Sequence, residues 1–182
     1  MSVSFFIILI IIIVLSSIGI ITISKYNEIT KNSVKISDAE EKVEKALATK
    51  LELILGSIEI IDKNKKTNNK TLNKVKKLKL EEISSFEADE LLTNASKEIS
   101  KVSSNIDKVL KSKKFKEIKI ELKDNEEKLI ALRTFYNKYV TNYNELIDSF
   151  FGAIISKIFR FDKKYLFEGK NLTKENVVDF KI

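Results

Sequence analysis

The chain has 182 residues, of which 43% are hydrophobic and 32% charged, and its 33 Lys and Arg against 26 Asp and Glu give a net charge of +7. It contains no cysteine, histidine, proline or tryptophan. Their absence excludes disulfides, thiol nucleophiles, imidazole bases and every metal site built on cysteine or histidine.

The first 24 residues carry no charged side chain, and residues 5–23 form an apolar run rich in isoleucine. A bilayer core of roughly 30 Å requires about 20 apolar residues in a helix, so this run is long enough to cross it. A cleaved signal peptide is disfavoured because no basic residue precedes the run. A buried core helix is rarely apolar on every face for this length, and a strand is rarely this long. We expect an uncleaved transmembrane anchor over residues 1–24.

Three lysines, Lys25, Lys31 and Lys35, follow the run. The positive-inside rule therefore favours a cytoplasmic location for the larger part of the chain, although long domains can cross a membrane regardless of charge. We expect a single-pass protein of the cell membrane with its larger part in the cytoplasm, the alternative being an extracytoplasmic location.

Three later stretches show apolar residues in steps of three and four, the coiled-coil-like pattern of a helix with one buried seam. The first seam comprises Ile36, Ala39, Val43, Leu47, Leu51, Ile54, Ile58 and Ile61. The second comprises Leu92, Ala95, Ile99, Val102, Ile106 and Val109. The third comprises Ile118, Leu122, Asn125, Leu129, Leu132, Tyr136, Tyr139, Tyr143, Leu146 and Phe150. The polar Asn125 either fixes the register of the helices or marks a partly exposed level of the seam.

Polar segments separate these helices, with residues 63–71 as the clearest loop and 112–114 as a tight connection. Short connections make sequential helices antiparallel neighbours. The predicted fold is all-α, with an N-terminal transmembrane helix followed by an antiparallel bundle of three long helices plus a short C-terminal helix. The corresponding domains are the anchor at 1–24, the bundle at 25–168 and a polar tail at 169–182.

Residues 63–79, here called the basic elbow, contain no acidic residue. Their eight lysines are Lys63, Lys65, Lys66, Lys70, Lys74, Lys76, Lys77 and Lys79. The rest of the chain is nearly neutral, so the elbow is either a solvated loop or a contact for an acidic protein or an anionic envelope polymer. Nucleic acid is disfavoured because the elbow has no aromatic residue on which a base could stack.

A second set of lysines is a candidate contact for anionic lipid. In an antiparallel bundle the turn after the second helix returns to the membrane, next to the end of the anchor. The set comprises Lys25, Lys31, Lys35, Lys111, Lys113, Lys114 and Lys116. Each would contribute about 1 kcal/mol to membrane binding if it lies close to the headgroups.

No pattern of catalytic residues is present. The four glycines are scattered, so no phosphate-binding loop is formed. The paired carboxylates Glu40-Glu41, Glu81-Glu82 and Glu126-Glu127 have lysines nearby and are typical of solvated helix faces. We therefore assign no catalytic residue, cofactor or metal, and we keep self-association through the apolar stretch at 150–161 as a possibility.

Two motifs are similar to those of a known family. The first begins at Tyr26-Asn27 and continues through Ile29, Ile36, Ala39, Val43, Leu47, Lys50 and Glu52-Leu53-Ile54. The second reads EEKLIALRTFYN over residues 126–137 and continues through Val140 and Tyr143-Asn144. Together, over residues 1–58 and 120–168, they resemble the LemA family of bacterial single-pass membrane proteins with a helical bundle.

The resemblance implies the fold but no activity, because the family has no agreed biochemical function. The chain has Leu55-Gly56 where the family has Pro-Asn, and Phe150-Phe151 where it has Phe-Pro; without proline, both junctions should be straighter. We expect Tyr26, Tyr136 and Tyr143 to serve packing or anchoring rather than ligand binding.

The leading hypothesis is a membrane-anchored helical scaffold or interaction protein of the bacterial cell envelope with no catalytic activity. The alternative is a ligand-binding bundle or an enzyme that uses buried carboxylates and tyrosines. An internal pocket with an unpaired carboxylate favours the alternative, and a continuous apolar seam favours the scaffold.

Overall fold

The computed structural model describes residues 3–167, and these form helices and connecting segments without a β-strand. The α-helices are α1 (Val3–Asn64), α2 (Lys70–Val75), α3 (Ser85–Ser103), α4 (Asp107–Lys111), α5 (Lys113–Asp148) and α6 (Phe150–Phe159), with a 3-10 turn at Leu80–Glu82. The predicted all-α class is confirmed. The predicted polar tail, 169–182, lies outside the described residues.

Helix α1 begins in the apolar run and continues unbroken into the first predicted seam. Its apolar part has a mean hydropathy of 3.2 and is not buried, and it is the one helix in the described part of the chain that is long and apolar enough to cross a membrane, judged by length and composition. The hydroxyls of Ser17 and Thr22 donate hydrogen bonds to the carbonyls of Ile13 and Ile18. These two hydroxyls are therefore satisfied within the helix, as a lipid environment requires.

The described residues divide into two compact units. Unit one contains the residues up to Ser37 together with Asn137–Leu166, and unit two contains Asp38–Tyr136 together with Phe167. Helices α1 and α5 each contribute one part to unit one and another to unit two.

In unit one, the end of α5 runs antiparallel to α1. The Lys35 ammonium donates a hydrogen bond to the Tyr139 hydroxyl at 2.9 Å, and further along α5 Glu145 and Leu146 share a shallow cavity with Glu28 and Lys31. Increasing residue numbers on α5 therefore meet decreasing numbers on α1.

Helix α6 follows α5 after a sharp turn at Ser149, whose hydroxyl accepts a hydrogen bond from the Gly152 amide. A Cβ at Gly152 would lie 1.7 Å from the Leu146 carbonyl oxygen, so this turn requires glycine. The junction at Phe150-Phe151, expected to be straighter without proline, is therefore broken, because the Ser149 cap and Gly152 make the turn instead. At Leu55-Gly56, by contrast, α1 continues without interruption.

In unit two, α3 runs parallel to α1, not antiparallel. Asp89 and Thr93 contact Lys50, whereas Ser100 and Ser103, later on α3, line a cavity with Ser57, later on α1. The prediction that sequential helices are antiparallel is wrong for this pair.

The reason is the segment between them, residues 65–84, which is not a short turn. It contains α2, whose Leu72 and Val75 are buried, and it returns the chain before α3 begins at the capping box of Ser84 and Glu87. The predicted loop at 63–71 is shorter than expected, because α1 extends to Asn64 and α2 starts at Lys70.

Helix α5 runs antiparallel to α1 in unit two. Glu126 contacts Lys50, and earlier on α5 the Ile118 side chain lies 3.3 Å from the Cβ position of Gly56, later on α1. Only Ser112 separates α4 from α5, so the connection predicted at 112–114 is a single residue.

The predicted seams are largely the buried faces. On α1 every seam position is buried except Leu51, which is half-buried while its neighbour Lys50 is buried. The second seam is interrupted, because α3 ends at Ser103 and Val102 and Ile106 are only half-buried. Phe150 does not belong to the third seam: α5 ends at Asp148, and the Phe150 side chain is exposed.

Asn125 is buried, with 7% of its surface exposed, and its Oδ1 has no hydrogen-bond partner among the described residues. The alternative of a partly exposed seam at this level is therefore wrong. A buried polar side chain at a seam position is the arrangement that fixes helix register.

Candidate functional site

The centre of unit two holds a buried lysine. Ile36, Val43, Lys50 and Ser57 follow one another at intervals of seven on α1, so Lys50 occupies a seam position that the heptad pattern would fill with an apolar residue. Only 1% of its surface is exposed. A buried ammonium is costly unless it is paired and hydrogen-bonded, and its partners come from the other two helices.

The Lys50 ammonium donates three hydrogen bonds. They run to Asp89 Oδ1 at 3.2 Å, to Thr93 Oγ1 at 2.8 Å and to Glu126 Oε2 at 2.6 Å. An ammonium has three donors and no acceptor, so Lys50 is saturated. Because Asp89 and Thr93 belong to α3 and Glu126 to α5, one side chain of α1 ties three helices together.

Arg133 completes the group from α5. Its Nη2 lies 3.1 Å from Asp89 Oδ2 and 3.0 Å from Glu126 Oε1, so it bridges the same two carboxylates. We call Lys50, Asp89, Thr93, Glu126 and Arg133 the Lys50 cluster. Its two cations balance its two carboxylates, which leaves the cluster neutral.

The guanidinium of Arg133 also faces the ring of Phe167, with 5.8 Å between its carbon and the ring centroid. The same ring packs edge-on against Phe86 and Tyr136, at centroid distances of 6.1 Å and 6.3 Å. The Phe167 ring therefore links the Lys50 cluster, at Arg133, to an aromatic group.

The pKa of Glu126 reflects two opposing effects. Burial raises the pKa of its carboxyl. The hydrogen bond and charge of Lys50, together with Arg133, lower the pKa by more than burial raises it, so the pKa lies below the ordinary value of 4.5. Glu126 is therefore a carboxylate in the folded protein at neutral pH. It cannot act as a general acid there.

The Lys50 cluster corrects the prediction that Glu126-Glu127 form a solvated pair. Glu127 is indeed 67% exposed and lies 3.9 Å from Lys123, one turn before it. Glu126 is instead half-buried, because successive residues of a helix point about 100° apart and one of the two faces α1. The spacing of Lys50 from Val43 and Ser57 is the signal that could have located the cluster.

A cavity of about 380 Å³ adjoins the cluster between α3 and α5. Thr93 and Glu126 belong both to its wall and to the Lys50 cluster. Its other lining residues are Ser57, Ser96, Lys97, Ile99, Ser100, Ser103, Phe115, Lys119, Leu122 and Lys123. The lining thus combines hydroxyls and lysines with apolar side chains. In the described part of the chain no group of three or more acidic residues could hold a metal ion.

The predicted basic elbow lies at the end of α1 in unit two and includes α2. Three of its lysines pair with acids: Lys63 with Glu59 at 2.6 Å, Lys76 with Asp62 at 2.5 Å, and Lys79 with Glu82 at 2.8 Å. The other five, Lys65, Lys66, Lys70, Lys74 and Lys77, are exposed and form no ion pair with a described residue. The elbow therefore presents free positive charge.

The lysines predicted to contact lipid divide between the units. In unit one, Lys25 pairs with Glu28 at 2.7 Å, Lys35 binds Tyr139, and Lys31 lines the shallow cavity. The others belong to unit two: Lys111 ends α4, and Lys113, Lys114 and Lys116 lie in the first turn of α5. The structure does not bring the seven lysines into one unit, and lipid contact stays a prediction for each group.

The tyrosines of the three Tyr-Asn pairs lie at packing positions. Tyr136 and Tyr143 are buried, and the ring of Tyr26 packs against Phe159. Burial, helped by the nearby charge of Asp162, raises the pKa of Tyr143. The hydrogen bond from Lys35 lowers the pKa of Tyr139.

These features define a class: an all-helical protein with one apolar helix segment of membrane-spanning length and a helical unit held by a buried, neutral ion cluster. Within that class, the LemA family model matches residues 39–180, most of the chain. The chain belongs to the LemA family. The match includes the middle helix, where the motifs were not recognisable, and it begins after Tyr26-Asn27. The curated proteins provide no significant match.

Proposed function

We propose that this protein is a single-pass membrane protein of the cell envelope whose helical part is a non-catalytic interaction module, and that the basic elbow binds an acidic partner. The apolar segment of α1 supports the anchoring. Its side chains are about half exposed over the whole run, which is stable in lipid and unfavourable in water. The lysine bias after the run favours a cytoplasmic module.

The Lys50 cluster supports a non-catalytic role. A nucleophilic lysine needs a free, neutral amine, and an acid or base needs an exchangeable proton near pH 7. The Lys50 ammonium instead donates all three of its hydrogen bonds within the cluster, and its partner Glu126 is ionised because its pKa is lowered. We therefore interpret the cluster as a structural element that fixes the register of α1, α3 and α5.

The single observation that carries the partner site is the set of five exposed elbow lysines without an ion pair among the described residues. Like charges gathered on one segment repel each other unless a partner neutralises them, and they attract anionic surfaces over about 8 Å in physiological salt. An acidic protein or an anionic envelope polymer has the complementary charge. One surface ion pair contributes little to binding, but several complementary pairs together raise the association rate and the specificity.

The test is proximity labelling from a tag inserted at Asn68, in intact cells. We compare the wild type with an elbow variant, Lys66→Glu, Lys70→Glu and Lys77→Glu. The matched control, Lys101→Glu, Lys108→Glu and Lys128→Glu, makes the same change of net charge at exposed lysines outside the elbow. We expect the elbow variant alone to lose its labelled acidic neighbours. Equal labelling in all three proteins would reject the elbow as the contact.

A ligand-binding bundle is the second candidate, favoured by the cavity beside the Lys50 cluster. Its lining of lysines, hydroxyls and apolar side chains suits a small anionic amphiphile. The probe is 1-anilinonaphthalene-8-sulfonate, and the filled variant is Ser100→Phe, with Ser104→Phe outside the cavity as its control. Weaker probe binding in Ser100→Phe alone supports this candidate, and equal binding in all three proteins argues against it.

A further inference from the structure

Helix α6 has two apolar faces, and only one of them is covered. Gly152, Ile155 and Ser156 are buried against unit one. Phe150, Ile154 and Ile158 follow one another at intervals of four and are 77%, 48% and 66% exposed. Residues four apart lie on the same side of a helix. These three side chains form an exposed apolar surface on one side of α6, which we call the α6 stripe.

The C-terminal end of α6 lies beside the end of the apolar segment of α1. The ring of Tyr26 packs against Phe159 at a centroid distance of 4.7 Å and against Phe161 at 5.8 Å. Tyr26 is three residues beyond Ile23, which is about 4.5 Å along a helix axis at 1.5 Å per residue. The end of α6 therefore lies at the level where α1 leaves the apolar run.

The polar surroundings of α6 suit a headgroup region. Lys157 and Arg160 are exposed, and Lys163 pairs with Asp148 at 2.8 Å. Arg160 ends the helix in the left-handed conformation, with φ 58°, which turns the chain back toward α5. There the Asn144 side chain bonds both backbone groups of Lys164, at 2.7 Å and 3.0 Å. An apolar helix face with flanking cations, next to an interfacial tyrosine, is typical of a helix that lies in the membrane interface.

We infer that α6 is an interfacial helix, and that the α6 stripe inserts into the same bilayer that α1 crosses. Lipid is the occupant because the stripe ends at Ile158, next to the Phe159 ring that packs on Tyr26, and therefore lies at the level where the exposed apolar segment of α1 ends. An apolar helix face at the level of the membrane interface is stabilised when it is buried at the boundary between headgroups and acyl chains. This inference rests on the proposed membrane anchoring. It adds a second point of contact, which would fix the orientation of unit one against the membrane.

The chain contains no tryptophan, so one introduced tryptophan reports its own depth. The full chain is reconstituted into vesicles of phosphatidylcholine and phosphatidylglycerol, with or without brominated acyl chains, which quench tryptophan in the bilayer. Four variants are compared: Ile154→Trp and Phe150→Trp in the α6 stripe, Ile10→Trp in the apolar segment, and Val34→Trp on the exposed side of α1 in unit one. Circular dichroism checks that each variant is helical.

We expect strong quenching of Ile10→Trp, clear quenching of both stripe variants, and little quenching of Val34→Trp. If Ile10→Trp is quenched and both stripe variants behave like Val34→Trp, α6 does not enter the membrane and the inference fails, while the anchor stands. If Ile10→Trp is not quenched, the anchor itself fails. A blue-shifted but unquenched stripe tryptophan would mean that a second copy covers the stripe, which also overturns the inference.

Discussion

The Lys50 ammonium lies 2.6 Å from a carboxylate oxygen of Glu126, although 76 residues separate them in the chain. This contact joins α1 to α5, and the contact with Asp89 joins α1 to α3. Two buried charges that attract each other do not necessarily stabilise a protein, because both lose their hydration. We expect their main effect to be on specificity, since the three hydrogen bonds of the Lys50 ammonium require one register of the three helices.

Removing the ammonium tests this role. Lys50→Met keeps most of the side-chain volume but leaves Asp89 and Glu126 with Arg133 alone. We expect the free energy of unfolding to fall by about 3 kcal/mol, because breaking a buried ion pair leaves an uncompensated charge. The measurement is urea unfolding of the detergent-solubilised full chain. Lys128→Met, an exposed lysine on α5, is the control and should change stability by less than about 0.5 kcal/mol; an equal effect of the two variants would contradict the role of Lys50.

The Lys50 cluster also predicts a pH dependence. The pKa of Glu126 is lower in the folded chain than its ordinary value of 4.5. Its contribution to stability is therefore fully present above about pH 4.5 and is lost as the pH falls through the folded pKa. We expect the wild type to lose more stability than Glu126→Gln when the pH is lowered through this range.

The control for the pH dependence is Glu127→Gln, at the exposed neighbour. Its thermal unfolding midpoint should follow pH as the wild type does. If Glu126→Gln and the wild type lose stability in parallel, the carboxylate of Glu126 is not held by Lys50 and Arg133 as described.

At Asn125 we expect a substitution to raise the stability of the protein instead of lowering it. Its Oδ1 is buried without a partner in the described part of the chain, and such a group costs about 1–3 kcal/mol of desolvation. We expect Asn125→Leu to raise the free energy of unfolding by about 1 kcal/mol while leaving the helix content unchanged. Asn142→Leu, an exposed asparagine on the same helix, should give no gain. A loss of stability in Asn125→Leu would indicate that the amide is bound in the folded protein.

Gly152 controls the placement of α6. In Gly152→Ala the new Cβ would meet the Leu146 carbonyl oxygen and the Ser149 hydroxyl, at 1.7 Å and 2.6 Å, so the turn between α5 and α6 must open. We expect weaker tertiary structure around α6, seen as faster amide hydrogen exchange over residues 150–159. Gly19→Ala meets nothing within 4 Å and should leave exchange there unchanged. Unchanged exchange in Gly152→Ala would show that the turn tolerates a side chain.

The sequence was enough to locate the apolar segment and most of the buried helix faces, whereas it missed α2. Hydropathy alone located the apolar segment of α1, because a run of about 20 mostly apolar residues is recognisable without knowledge of what packs against it. The step of three and four residues located the buried faces around Val43, Leu92 and Leu129, because helix geometry maps that spacing onto one side. Seven-residue spacing around Lys50 also held the main clue to the cluster, but a lone lysine in a helix is usually exposed, so its burial could not be inferred.

Tertiary structure alone decided the direction of α3, the pairing of Lys50 with Asp89 and Glu126, and the packing of Tyr26 against Phe159. Each depends on residues far apart in the chain. The periodicity of one helix shows which face is buried but not which helix packs against that face. The direction of α3 depends on the segment before it. Because Leu72 and Val75 of α2 are buried, this segment is not a loop and brings the chain back before α3 begins. Local chemistry determines where a helix forms and which face it buries, whereas the fold determines what that face meets.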